Sequence, residues 1–342
     1  MITIILVIIC LSLLILIHEL GHFLAAKFFK VRVDEFGLGF PPRIFGKKFG
    51  DTTYSINGLP FGGFVKIHGE DGDEAHLATD SVSFSSQSML RKSLIVLAGI
   101  GMNIILGWTL LSAVFMIGAP EHLAISDVSR DTPAAVVGLR PGDIILKAQG
   151  AEAILTDPVK SESFINMVKG SLGKPISLQL KRGREIVSVT LSGRVNPPAG
   201  QGALGIGLVS IGFFKMPIFE AIGKGFKETG ATLFFILKGL GALFTNFKSV
   251  SGPVGIVSIA AQTSAIGFVY LLQLMVLISL NLAVLNLVPF PALDGGRFLF
   301  LLIEKIKGGP ISKKFQAVAN GLGFVLLIAL MIAVTIQDIG RL

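Results

Sequence analysis

"LLILIHELGHFLAAKFF", residues 13–29, joins an uncharged apolar run to two histidines and a glutamate. Positions 2–17 carry no charge, and His18, Glu19 and His22 then follow within little more than one helical turn. Such groups are costly to bury beside hydrocarbon, so ionisable residues at membrane depth point to function. On a helix, positions i and i+4 share a face, which lets His18 and His22 turn their imidazoles toward one point, with Glu19 beside them.

The surrounding composition decides the fold class. The chain has 342 residues, of which 51% are hydrophobic and only 15% charged, with a mean hydropathy of +0.74. That balance lies outside the soluble globular range. Residues 93–119, 249–293 and 315–336 also lack charge, and together with the first run they supply four spans of about 20 residues each. The first span lacks a positive leader and runs into "HELGH" rather than a small-residue cleavage site, so it is expected to be retained. Cys10 is the only cysteine, which excludes an intramolecular disulfide. The net charge of +8 comes from scattered basic residues, a pattern that speaks against nucleic acid as a partner.

Lysine and arginine beside the spans set the expected orientation. Lys27, Lys30, Arg32, Arg91 and Lys92 flank one loop, and Arg297, Lys305, Lys307, Lys313 and Lys314 another. Both loops are expected to be cytoplasmic, with both termini outside the inner (cytoplasmic) membrane. At 1.5 Å per residue, His18 lies about 25 Å from the N-terminus, toward the cytoplasmic side.

The sequence predicts a polytopic α-helical membrane protein with a membrane-associated β hairpin and an inserted α+β domain. Residues 1–26 form the first span, 27–92 a cytoplasmic-side loop and 93–119 the second span. In that loop "YSINGLPFGGFVKIHGE" reads as a short hairpin or edge strand, with Gly62 and Gly63 allowing close backbone approach. Residues 120–208 form the inserted domain, on the signal "SRDTPAAVVGLRPGDIILKAQG": a short helix, a turn, then a strand. This stretch resembles a PDZ domain, which implies a peptide or protein ligand added at a sheet edge. Residues 209–262 are expected to be juxtamembrane and amphipathic, because Lys238 at the centre of a span would cost about 2.5–3.5 kcal/mol. The third span covers 263–293, a cytoplasmic loop 294–314 and the fourth span 315–337.

The spacing of "HELGH" is the HExxH arrangement by which two histidines bind zinc while a glutamate acts as general base. A third ligand is then needed. His68, Glu70, Asp71, His76, His122 and Glu304 are weaker candidates, lying in polar stretches or among lysines. Asp294 is the best, since it ends an uncharged run in "NLVPFPALDGGRF", where Pro289 and Pro291 break the helix and Gly295 and Gly296 leave room. Its competing role is to cap the next helix. Asn281 reads as an interhelical hydrogen-bonding group.

Taken together, "HELGH", "NLVPFPALDGG" and the PDZ-like insert resemble the site-2 proteases, in particular the bacterial RseP-like group. "GLPFGGFVKIHGE" is similar to that family's membrane-reentrant β element, and "SGPVGI" (251–256) to its signature after the PDZ domain. Ile100 stands where many relatives have proline in "LAGIGMN", while Asn103 is kept. Larger members carry two tandem PDZ domains, and one is read here. The resemblance implies one Zn²⁺ per chain, bound by His18, His22 and Asp294, with Glu19 as the catalytic base. It also implies that Asn286 holds substrate backbone, and Gly62, Gly63 and Phe64 belong to the strand offered to substrate.

The activity so implied is zinc-dependent cleavage of transmembrane segments within the bilayer, in regulated intramembrane proteolysis. Anti-sigma factors or signal-peptide remnants are the implied substrate class. Two other readings start from the same residues. A metal transporter would also place histidine and aspartate at membrane depth, but it would normally show structural repeats. A non-catalytic scaffold displaying a PDZ domain would leave Glu19 and Asp294 without a purpose.

Overall fold

The computed structural model describes residues 2–70, 80–183, 185–198, 200–243 and 252–340. Among these residues four helices are long and apolar enough to cross a membrane. They lie in α1 (Ile2–Phe28), α2 (Met89–Ile117), α7 (Phe268–Leu287) and α9 (Lys313–Ile339). The chain is a polytopic membrane protein, as the uncharged runs imply.

The third span is shorter than its sequence boundaries of 263–293. A separate helix, α6 (Pro253–Ile266), precedes it, and Gly267 separates the two. Pro289 cannot continue α7, which stops at Leu287. Between 209 and 262 the chain forms α5 (Ile218–Leu243) and most of α6, while Lys248 and its neighbours lie outside the described residues. α5 is amphipathic and leaves Phe219, Phe226, Phe234 and Phe235 exposed. Trp108 Nε1 on α2 donates to the Ile222 carbonyl at 3.0 Å.

Two compact units divide the chain: Met1–Ser112, Ile222–Ala260 and Leu272–Leu342 form the first, Ala113–Ala221 and Ala261–Leu271 the second. In the first unit the expected short hairpin is a much longer element, made of β1 (Val33–Phe49) and β2 (Thr52–Ile67). Its register slips repeatedly: Gly37 faces both Phe64 and Ser55, and Leu38 both Gly63 and Ile56. The first part of β1 therefore lies between two portions of β2. Gly39 and Gly62 adopt φ of 77° and 75°, conformations that favour glycine, and let the strands bend. Val33 and Ile67 close the base of this hairpin on Ala26, Val31, Phe84, Ile95 and Val96, a buried cluster that ties it to α1 and α2.

"SGPVGI" acquires a physical explanation here. Pro253 opens α6, where a missing N–H costs nothing. The buried Asp338 carboxylate on α9 accepts from Gly252 N at 2.9 Å and Gly255 N at 2.8 Å. A side chain at position 252 would crowd that carboxylate.

The second unit holds a six-stranded sheet in the order β7-β6-β4-β3-β8, with β5 paired to β4. The strands are β3 (Ala119–Val128), β4 (Ile144–Gln149), β5 (Ile154–Thr156), β6 (Pro175–Arg182), β7 (Glu185–Ser192) and β8 (Ile206–Phe213). Two-residue alternation is clearest on β6, which buries Ile176, Leu178 and Leu180. They join Leu123, Ile145 and Phe164 in one core, Phe164 coming from α4 (Ser161–Gly170). The sequence boundary at 208 cuts through β8, which continues to Phe213 because it pairs with β3 as far as Ala119.

The "GLRPGD" turn follows α3 (Pro133–Val136) and serves to hold the chain in place. Asp143 is buried and accepts from Arg182 Nε at 2.8 Å, Arg182 Nη2 at 2.7 Å and Arg140 N at 2.9 Å. Arg182→Ala leaves that carboxylate buried without its counter-charge and is expected to destabilise this unit by about 3 kcal/mol. Hydrogen exchange of the β4 and β6 amides measures it; unchanged protection would show that the pair contributes nothing.

Candidate metal centre

One helical turn separates His18 from His22, and both imidazoles leave the same face of α1. Asp294 opens α8 (Asp294–Lys307), and its carboxylate meets them. His18 Nε2 lies 3.0 Å from Asp294 Oδ2, His22 Nε2 lies 3.4 Å from it, and the two Nε2 atoms are 3.2 Å apart. All three residues are buried. Asp294 does not cap α8, whose N-cap position is Leu293.

These atoms fit a cation. Asp294 Oδ2 is buried and makes no hydrogen bond to the described residues, although both imidazoles surround it. His22 Nδ1 sits 2.9 Å from the Ile95 carbonyl, which can only accept. Its neutral ring therefore carries the proton on Nδ1 and turns the Nε2 lone pair into the cluster. Two imidazole nitrogens and one carboxylate oxygen are a donor set suited to zinc with a position left open.

Close helix contact makes the cluster possible. A Cβ at Gly99 on α2 would overlap His22 Nε2 and come within 2.8 Å of His18 Cε1. A Cβ at Gly21 on α1 would overlap the Ala98 carbonyl. Glycine at both positions lets α2 form a wall of the site.

Asp294 is delivered by a tight loop. After α7 the chain turns through Pro289 and Pro291 to Ala292, which has φ of 76°, a strained conformation for a residue with a Cβ. Asn320 Oδ1 on α9 accepts from Ala292 N at 3.0 Å. Side chains at Gly295 or Gly296 would overlap the carbonyls of Leu287, Val288 and Phe290, and Gly323 on α9 backs directly on Pro291.

The cluster opens on a cavity of about 330 Å³ lined by Glu19, Phe40, Gly63, Phe64, Asn286 and Arg297, among others. Glu19 Oε2 accepts from Val65 N at 3.1 Å, so the carboxylate is fixed at the edge of β2. Of the residues assigned to substrate from sequence, Gly63, Phe64 and Asn286 line the cavity. Gly62 instead donates its N–H to Ser12 Oγ at 3.3 Å.

The weaker ligand candidates lie in other interactions. His68 contacts Arg32, Asp34 and Asp80, and the Val82 N–H holds the Asp80 carboxyl below the usual carboxylate range. Glu70 pairs with Arg297 at 2.7 Å, His122 lies 2.8 Å from Asp157, and Glu304 accepts from Ile311 N and Gln316 Nε2. Asp71 and His76 fall outside the described residues. Asn281 donates to the Leu277 carbonyl of its own helix, a local bond in place of the expected interhelical one. Sequence reasoning gave no role at the site to Gly99, Asn320 or Arg297, the last being read only as a basic flank of a span; only the "LAGIGM" run offered a signal for Gly99.

The model of Peptidase family M50 matches residues 6–330. The chain belongs to that family, the site-2 proteases that its motifs resemble. A Clostridium perfringens protein provisionally named a zinc metalloprotease is 36% identical over 332 residues, covering 96% of each chain. A similarly named protein of a Nostoc species is 34% identical over 97% of this chain and 94% of its own length. A chloroplast membrane metalloprotease of Arabidopsis thaliana is 29% identical over 95% of this chain and 76% of its own length.

The strained loop gives a direct prediction. Asn320→Ala is expected to destabilise the 288–296 turn by about 1 kcal/mol through loss of its hydrogen bond to Ala292. Adding Ala292→Gly should recover much of that loss, since glycine accepts the left-handed conformation freely. Hydrogen exchange across the turn reads both effects, and no recovery in the double variant would refute the strain argument.

Proposed function

We propose that this chain is a zinc-dependent endopeptidase that hydrolyses peptide bonds in transmembrane segments of other membrane proteins. The observation carrying the proposal is the convergence of His18 Nε2, His22 Nε2 and Asp294 Oδ2 at one buried point, with Glu19 on the same cavity. His18, His22 and Asp294 would hold the ion. When bound, zinc supplies Lewis acidity toward a peptide carbonyl and toward water.

The chain's own groups do the rest. Glu19 takes a proton from the attacking water as its oxygen adds to the scissile carbon. It returns that proton to the amide nitrogen as the C–N bond breaks, so the carboxylate is regenerated. A substrate helix hides its carbonyls in hydrogen bonds and must unwind before attack. The Gly63–Val65 edge beside Glu19 supports pairing with an unwound segment as an added strand, with the Asn286 amide holding its backbone.

The flanking lysines and arginines support an inner-membrane topology with both termini outside and the metal centre toward the cytoplasm. The second unit, with its short helix, "GLRPGD" turn and sheet, supports a single PDZ-like module. Its role in this reading is to restrict access to substrates already trimmed by another protease.

Glu19→Gln is expected to retain about one zinc per chain while cleavage of a labelled transmembrane substrate falls at least about 10²-fold, the lower range for a general base. His18→Ala should lose the zinc as well. Substantial cleavage by the glutamine variant would exclude Glu19 as the base. Deleting residues 121–208 should permit cleavage of untrimmed substrates; continued dependence on prior trimming would reject the filter.

A further inference from the structure

His18 can bind a cation beside His22 and Asp294 only through a free lone pair on Nε2. In a neutral imidazole that places the proton on Nδ1, where it needs an acceptor. His22 has one in the Ile95 carbonyl. The group facing His18 Nδ1 is the Asn103 side chain on α2, with Nδ2 3.2 Å away.

Asn103 is fully buried at 0% exposure, and its Oδ1 has no hydrogen-bond partner among the described residues. With Nδ2 facing the ring, Nδ1 must accept, the proton moves to Nε2 inside the cluster, and the buried Oδ1 is left without a donor, which is unfavourable. Half a turn of the amide exchanges its two ends in the same volume and removes both difficulties. We infer that Asn103 presents Oδ1 to His18 Nδ1–H, and so holds His18 in the tautomer that leaves Nε2 free for the ion.

Asn103 is thus a positioning residue that acts through His18. Its place is set from a third helix as well, because Ser279 Oγ on α7 donates to the Asn103 backbone carbonyl at 2.8 Å. The two histidines of α1 are then oriented by two acceptors on α2, the Ile95 backbone and the Asn103 side chain. The inference rests on the zinc reading of His18, His22 and Asp294.

The test is zinc affinity, measured by chelator competition on the purified full-length protein, together with the visible spectrum of its cobalt form. Asn103→Asp keeps an acceptor of the same shape and is expected to stay within about three-fold of wild type, whereas Asn103→Leu should weaken binding about 10–100-fold. The cobalt spectrum should change in the leucine variant only. Equal or tighter binding by Asn103→Leu overturns the inference, as does equal weakening in both variants. Should the variants not fold, the zinc-loaded wild type decides. Histidine-labelled protein should show a slowly exchanging Nδ1 proton on His18, and absence of that proton overturns the inference. A wild-type chain that binds no zinc removes the metal-centre reading itself, whereas normal wild-type binding with an unaffected leucine variant removes only the role of Asn103.

Discussion

Taking a carboxylate out of water costs several kcal/mol unless opposite charge or hydrogen-bond donors replace its hydration. Asp294 meets that constraint in a severe form, because one of its oxygens is buried between two imidazoles and makes no hydrogen bond to the described residues. Much of the first unit can be understood as the means of holding that arrangement. α1 supplies the imidazoles, α2 their orienting acceptors, and α9 fixes the loop that turns Asp294 toward them. The helix that Asp294 begins adds a favourable interaction, since a carboxylate in the first turn faces the positive end of the dipole.

Hydrophobic burial alone does not bring helices so close. In lipid, apolar side chains gain little by exchanging lipid tails for one another, and small residues at the contacts decide how near backbones can come. Gly21 and Gly99 set the α1–α2 distance at the level of the histidines, Gly107 admits Leu280 of α7, and Gly323 admits the Pro291 carbonyl. Each contact is local. Their common effect is to bring the backbones close enough for the ligand-bearing side chains to meet.

Chemistry was more legible in the sequence than geometry. "HELGH" and "ALDGG" could be read because ionisable residues are conspicuous in uncharged surroundings and because i and i+4 share a helix face. Strand β1 was not legible: Gly37, Gly39, Pro41, Pro42 and Gly46 break the alternation that marks a strand, and its partner is identifiable only after folding. The α6–α7 division was hidden because 249–293 is uniformly apolar and Gly267 is one glycine among many. Asn320 gave no signal, since its importance lies in a backbone N–H 28 residues away. The "GLRPGD" turn was recognised as a pattern, yet its anchor, Arg182, is supplied by a strand 39 residues beyond Asp143.

The clasp between Asp338 and the first turn of α6 has a consequence for biosynthesis. Asp338 lies 86 positions beyond Gly252 and is translated after α6, α7 and α8. Until then the amides of Gly252 and Gly255 must be satisfied by water or lipid headgroups. That corner of α6 can therefore lock only after the segment carrying Asp338 has been made, well behind the synthesis of α6 itself.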